Sequence, residues 1–131
     1  MNDDPRALIH EAARGSNESR LHFGQVIGLL VQAGVETYTV DYRARRSTYV
    51  LPDGDTLDMP TPMPDVAIAQ DFDAAALRAA IRGAQQGVVM YPEFKRLSRQ
   101  AGCVGYIVWV AGRHVSYFGR KGETHVERFP D

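Results

Sequence analysis

The sequence predicts an α+β domain made by internal duplication of a helix-helix-strand-strand-strand unit, with an antiparallel sheet covered by helices. Three observations predict it. Residues 4–62 lie over residues 72–130 at an offset of 68 without a gap, and 15 positions are identical. That is roughly one position in four, where ordinary composition gives about one in sixteen. Gln32-Ala33-Gly34 meets Gln100-Ala101-Gly102, Tyr38 and Val40 meet Tyr106 and Val108, Arg45 meets Arg113, and Tyr49 meets Tyr117. Self-similarity on this scale is decided first, because it sets how many units the fold contains. Next, each copy opens with apolar residues at helical spacing and closes on β-branched and aromatic runs. Finally, three strands with one apolar face are marginal alone, so the halves share a sheet or face one another under helices.

Asp4-Pro5 predicts the start of a first helix, with an acidic cap and an early proline, running to about Arg14 and stopping at Gly15. A second helix is expected over Leu21–Ala33, with Gly34 as its left-handed cap. Its core stripe is Val26, Leu29, Leu30 and Ala33, beside a second apolar stripe of Ile27 and Val31. Strands follow at Glu36–Arg43, Ser47–Leu51 and Thr56–Met59, with a Pro52-Asp-Gly54 turn. Pro60-Thr-Pro-Met-Pro64 lacks the backbone donors that helices and inner strands need. Residues 60–71 are therefore expected as an extended linker between the pseudo-repeats 4–62 and 72–130. The second unit repeats the plan: helices Asp73–Gln86 and Pro92–Ala101, then strands Val104–Val110, His114–Phe118 and Glu123–Phe129.

The bulk numbers set limits on function. A chain of 131 residues, 44% apolar and 24% charged, fits a single globular domain over 1–131 with a real core. Fifteen basic against sixteen acidic side chains give no field to attract nucleic acid, and no basic run occurs. The longest apolar-rich stretch, Val26–Val35, is about half a membrane span. The opening Met1-Asn-Asp-Asp-Pro5 is acidic and lacks the charged-then-apolar pattern of a signal peptide. One cysteine, Cys103, offers no internal disulfide. A cytoplasmic location is the expectation, with neither membrane nor nucleic acid as partner.

The motifs Gln32-Ala-Gly-Val35, Tyr49-Val-Leu-Pro-Asp-Gly54, Tyr91-Pro-Glu-Phe94, Ala101-Gly-Cys-Val-Gly-Tyr106 and Glu123-Thr-His-Val-Glu127 run through nearly the whole chain. In combination they resemble a family of small bacterial proteins known as domain of unknown function 1398. The resemblance implies no established activity and no catalytic residues. It does bring the label phage envelope protein, which would imply a virion structural role; no coiled coil or assembly arm supports that role in the sequence.

Candidate chemistry has to come from the residues. On the last strand His125 and Glu127 stand where the first copy has Leu57 and Met59, and with Glu123 they share a face. Cys103 stands against Val35. A nucleophilic Cys103, with His125 as base and Glu127 orienting it, would make a small thiol-dependent enzyme. The bland alternative is a solvated edge strand and an inert buried thiol. No histidine spacing marks a metal site, and Gly102-Cys-Val-Gly105 runs from helix to strand, the reverse of a dinucleotide-binding turn. Neither a metal nor a cofactor is expected. The aromatic set Tyr38, Tyr49, Tyr106, Trp109 and Tyr117 is the candidate ligand-binding surface, against the alternative of core packing.

The leading expectation is a non-catalytic module that binds a small molecule or peptide in a cleft between the two repeats. A homodimer is also expected through Ile27 and Val31, since the equivalent residues of the second copy are Lys95 and Arg99.

Overall fold

A computed structural model describes residues 4–130. Met1–Asp3, on which part of the signal-peptide reading falls, lie outside the described residues. The elements are α1 (Pro5–Asn17), α2 (Phe23–Ala33), β1 (Thr37–Asp41), β2 (Arg46–Val50), β3 (Thr56–Pro60), α3 (Ala74–Gln85), α4 (Tyr91–Gln100), β4 (Cys103–Trp109), β5 (His114–Gly119) and β6 (Thr124–Arg128). All six strands form one antiparallel sheet in the order β3-β2-β1-β4-β5-β6. Each half is a three-stranded meander, and the halves join along β1 and β4. The fold is α+β, four helices with a six-stranded antiparallel sheet. Among the described residues no helix is long and apolar enough to cross a membrane.

Pairing registers recur at the offset of 68. Tyr38 pairs with Tyr49 as Tyr106 pairs with Tyr117, and Tyr49 pairs with Leu57 as Tyr117 pairs with His125. At the seam, Tyr38 faces Val108 and Val40 faces Tyr106, on either side of the Thr39–Ile107 pair. Arg45 and Arg113, in the corresponding hairpin turns, both adopt positive φ. Side chains alternate across the sheet: Tyr38, Val40, Tyr49, Tyr106, Val108, Val115 and Tyr117 are buried, while Thr39, Asp41 and Trp109 are exposed on the opposite face. The core lies between the tyrosine-rich face and helix residues such as Ile9, Leu30, Leu77, Ile81 and Phe94.

Several expectations shift. Gly15 does not end the first helix, which runs on to Asn17; it is buried in the helix, where a Cβ would come within 2.4 Å of Leu21 Cδ1. Pro60 belongs to β3, tolerated because β3 is a sheet edge. The segment after it is a bonded strap. Thr61 donates its N–H to Arg45 O, Ala69 to Arg99 O and Asp73 to Ala101 O. Gly102, at φ 87°, lets the strap come this close, since a Cβ there would lie 2.2 Å from Asp71 O. At the seam, Gly105 has the same role, with Val40 O 2.4 Å from where its Cβ would be.

Candidate functional site

Under the helices, the tyrosine face of the sheet leaves a cavity of about 80 Å³. All four helices roof it, through Ala13 and Asn17 of α1, Phe23 and Val26 of α2, Ile81 and Gln85 of α3, and Tyr91 and Phe94 of α4. Its floor is Tyr38, Val40, Tyr49, Tyr106, Val108 and Tyr117. Apart from Ala12, every lining residue has its counterpart at an offset of 68 also in the lining. The cavity therefore straddles the seam and is drawn evenly from both halves.

Its aromatic rings pack mainly on one another. Tyr38 and Tyr49 stack with centroids 4.9 Å apart, and Tyr106 makes T-shaped contacts with Tyr38, Tyr42 and Phe94 at 5.9–6.5 Å. Tyr106 and Tyr117 lie 5.5 Å apart, tilted. Burial raises the pKa of all of these phenols, that of Tyr49 to about 12, so they are neutral hydroxyls at any physiological pH.

The hydroxyls fall into two groups. Tyr106 donates to Tyr91 Oη at 2.6 Å, and the Tyr42 and Ser98 hydroxyls share a bond of 2.7 Å. Tyr38, Tyr49 and Tyr117 have no hydrogen-bond partner in the protein, although each residue is at least 93% buried. Every buried side-chain nitrogen or oxygen among the described residues that is sealed from solvent does have a partner. These three oxygens are therefore not sealed, and they open onto the cavity that their residues line. For Tyr38 the cause is visible in the sequence: its counterpart Tyr106 is matched by Tyr91, whereas Phe23 stands at the equivalent place and brings no hydroxyl.

One end of the cavity is polar. Glu127 accepts from Arg82 of α3 and lies 3.0 Å from His125 Nε2. Glu127 and His125 are both largely buried, so β6 does not turn this face to water, contrary to the solvated-edge alternative. The His125 ring lies 6.4 Å from that of Tyr117. Glu123 stands apart, accepting from Lys121 N before β6 begins.

The structure thus brings His125 and Glu127 together but leaves Cys103 elsewhere. Strand β5 lies between β4 and β6, which separates their backbones by about 10 Å. The Cys103 thiol is fully buried, donates to Gly105 O at 3.3 Å, and is pushed by burial up to about 11, so it is a thiol and not a thiolate. Trp109 is also set apart from the tyrosines. Alternation puts it on the opposite face, 38% exposed, stacked on His114 with Nε1 donating to Ser116 Oγ. Ile27 is buried in the core, so of the expected dimer patch only Val31 is open, at 56%. The equivalent residues of the second half, Lys95 and Arg99, are charged yet buried under the strap. Lys95 donates to Asn17 Oδ1 and Pro62 O and sits over the Tyr91 ring; Arg99 donates to Val66 O. No group of three or more His, Cys, Asp or Glu side chains converges among the described residues.

Tyr91 was missed by strand alternation because it sits at the first turn of a helix. The signal that could have found it is the Phe23–Tyr91 mismatch between the halves.

Fold and cavity together define a two-layer α+β domain with a tyrosine-lined chamber between its layers. The chain belongs to the family described as protein of unknown function (DUF1398), which matches over residues 9–127. It is also 34% identical over 108 residues to uncharacterized proteins of Mycobacterium tuberculosis (strains ATCC 25618 / H37Rv and CDC 1551 / Oshkosh) and Mycobacterium bovis. That match covers 82% of this chain and 66% of the mycobacterial ones.

Proposed function

We propose that this domain binds a small organic molecule in the chamber at the seam and performs no chemistry on it. The observation that carries the reading is the set of three tyrosine hydroxyls, on largely buried residues, that have no partner in the protein and open onto the same cavity. Each hydrogen bond that a ligand makes to such a hydroxyl contributes about 0.5–1.5 kcal/mol. Small-molecule sites have this composition, apolar and aromatic walls with a few placed polar groups between structural units. The cavity suits a small molecule better than a peptide, because it is roofed by all four helices. With a single buried thiol, the domain suits the reducing cytoplasm.

The thiol-enzyme reading has less support, since its nucleophile is protonated and a strand away from its base. The test of binding is thermal unfolding in the presence of a panel of small aromatic and aliphatic compounds. A ligand at about 100 times its Kd adds about 2.7 kcal/mol of stability. A Tm that no compound class raises overturns the proposal.

A further inference from the structure

We infer that the ligand is an uncharged one- or two-ring compound carrying hydrogen-bond acceptors, held by the hydroxyls of Tyr38, Tyr49 and Tyr117. The inference rests on the binding reading above and names the chemistry of its ligand. Size comes first. A cavity of about 80 Å³ holds on the order of half a dozen waters, whose liquid volume matches about ten non-hydrogen atoms. That is too small for a nucleotide and right for one ring or two fused rings.

Charge comes next. The cavity's one carboxylate, Glu127, is already paired with Arg82 and bonded to His125. Arg128 and His22 stand exposed at the rim. An ammonium group would therefore find no free carboxylate inside. Nor would it find an open aromatic cage: Tyr38 is stacked on Tyr49, and the Tyr106 ring already makes T-shaped contacts with Tyr38, Tyr42 and Phe94. A carboxylate ligand held among the tyrosines would lose its hydration inside, where no unpaired cation stands; the one unpaired guanidinium of the lining, Arg128, lies exposed at the rim. A neutral molecule has neither cost.

Polarity comes last. The three hydroxyls remain protonated because burial raises their pKa, so each presents one O–H donor to the cavity. Carbonyl, ether or ring-nitrogen acceptors on the ligand complete them. A pure hydrocarbon leaves them unpaired.

The experiment follows the tyrosine ring signals of tyrosine-labelled protein by NMR during titration with four two-ring probes. These are coumarin (neutral with acceptors), naphthalene (neutral without), 2-naphthoate and 2-naphthylmethylammonium. Coumarin is expected to bind about tenfold more tightly than naphthalene and more tightly than either ion. Each of Tyr38→Phe, Tyr49→Phe and Tyr117→Phe should weaken coumarin about twofold and leave naphthalene bound at least as tightly as before. Naphthalene serves as the control that the variant cavities are intact. If naphthalene equals coumarin, or either ion exceeds it, the ligand class is wrong while binding stands. If none of the four perturbs the tyrosine signals, the binding reading fails with it.

Discussion

Helices α2 and α4 occupy corresponding places over the sheet, yet they bury opposite chemistry. On α2 the inward residues are Ile27 and Leu30, with Val31 left open. At the same positions α4 buries Lys95, Ser98 and Arg99. The difference lies in what covers them. The strap after β3 crosses α4 and turns the carbonyls of Pro62 and Val66 toward it. Buried carbonyls need donors, and an apolar helix face has none to offer. Charged residues on an amphipathic helix need not mean water; here they mean a polypeptide segment laid across the helix.

The strongest way to break this comparison is Ile27→Lys. It imitates α4 but supplies no overlying carbonyls, so it leaves a buried ammonium unpaired and costs about 3–5 kcal/mol. Urea unfolding should show a severe loss of stability; a variant near wild type would mean that α2 can release this face to solvent.

Lys95→Met tests the other side. It strands Pro62 O and Asn17 Oδ1 and should cost about 2 kcal/mol near neutrality. It also carries a pH signature. Burial lowers the Lys95 ammonium from 10.5 to about 8. Between those values the unfolded chain holds more protons than the folded one, so the lysine's contribution to stability rises with pH there. Above 10 the tyrosines oppose it, since burial raises all six and the unfolded chain loses its phenolic protons first. Urea midpoints measured from pH 7 to 11 should climb and then fall for wild type. For Lys95→Met they should only fall.

A smaller effect separates partnered from unpartnered hydroxyls. Tyr42→Phe leaves the buried Ser98 hydroxyl of α4 without its neighbour and should cost about 1 kcal/mol. Tyr38→Phe removes a hydroxyl that bonds nothing in the protein and should cost about zero. Equal losses in a denaturant titration would contradict the division of the tyrosines into two groups.

A similarly small change is expected from Val31→Arg, within about 0.5 kcal/mol because the site is exposed. Light scattering should find the same molecular mass before and after. A wild-type dimer dissociated by this change would make Val31 the contact between two copies after all.

Much of the fold could be read from the residues. Gly34 and Gly102 mark helix ends where the backbone turns left-handed, and Asp73 caps α3 by accepting from Ala76 N. Strand alternation puts Tyr106 on one face with Val108 and Val110, and Trp109 on the other with Ile107. Grouping Trp109 with the tyrosines by residue type set that alternation aside. What could not be read were effects of tertiary cover. Nothing local says that Arg82 reaches over β6 to Glu127, or that the proline-rich strap folds back on Lys95 and Arg99. Gly15 looked like a helix stop because glycine commonly is one; its actual role is a close contact with Leu21.

The seam between β1 and β4 has a consequence for how the chain reaches this structure. Each meander joins neighbouring strands through short turns, but pairing Thr37 with Trp109 closes a loop of about seventy residues. Local hairpins form in microseconds, whereas contacts this distant in sequence wait on a costly ordering of the intervening chain. The two meanders are thus poised to form separately and meet late. The chamber, whose walls come from both, does not exist until they have met. Until then the inner edges of β1 and β4 are unpaired strands with an apolar face, open to pairing with the wrong chain. The step that pairs those two edges is also the one that closes the chamber.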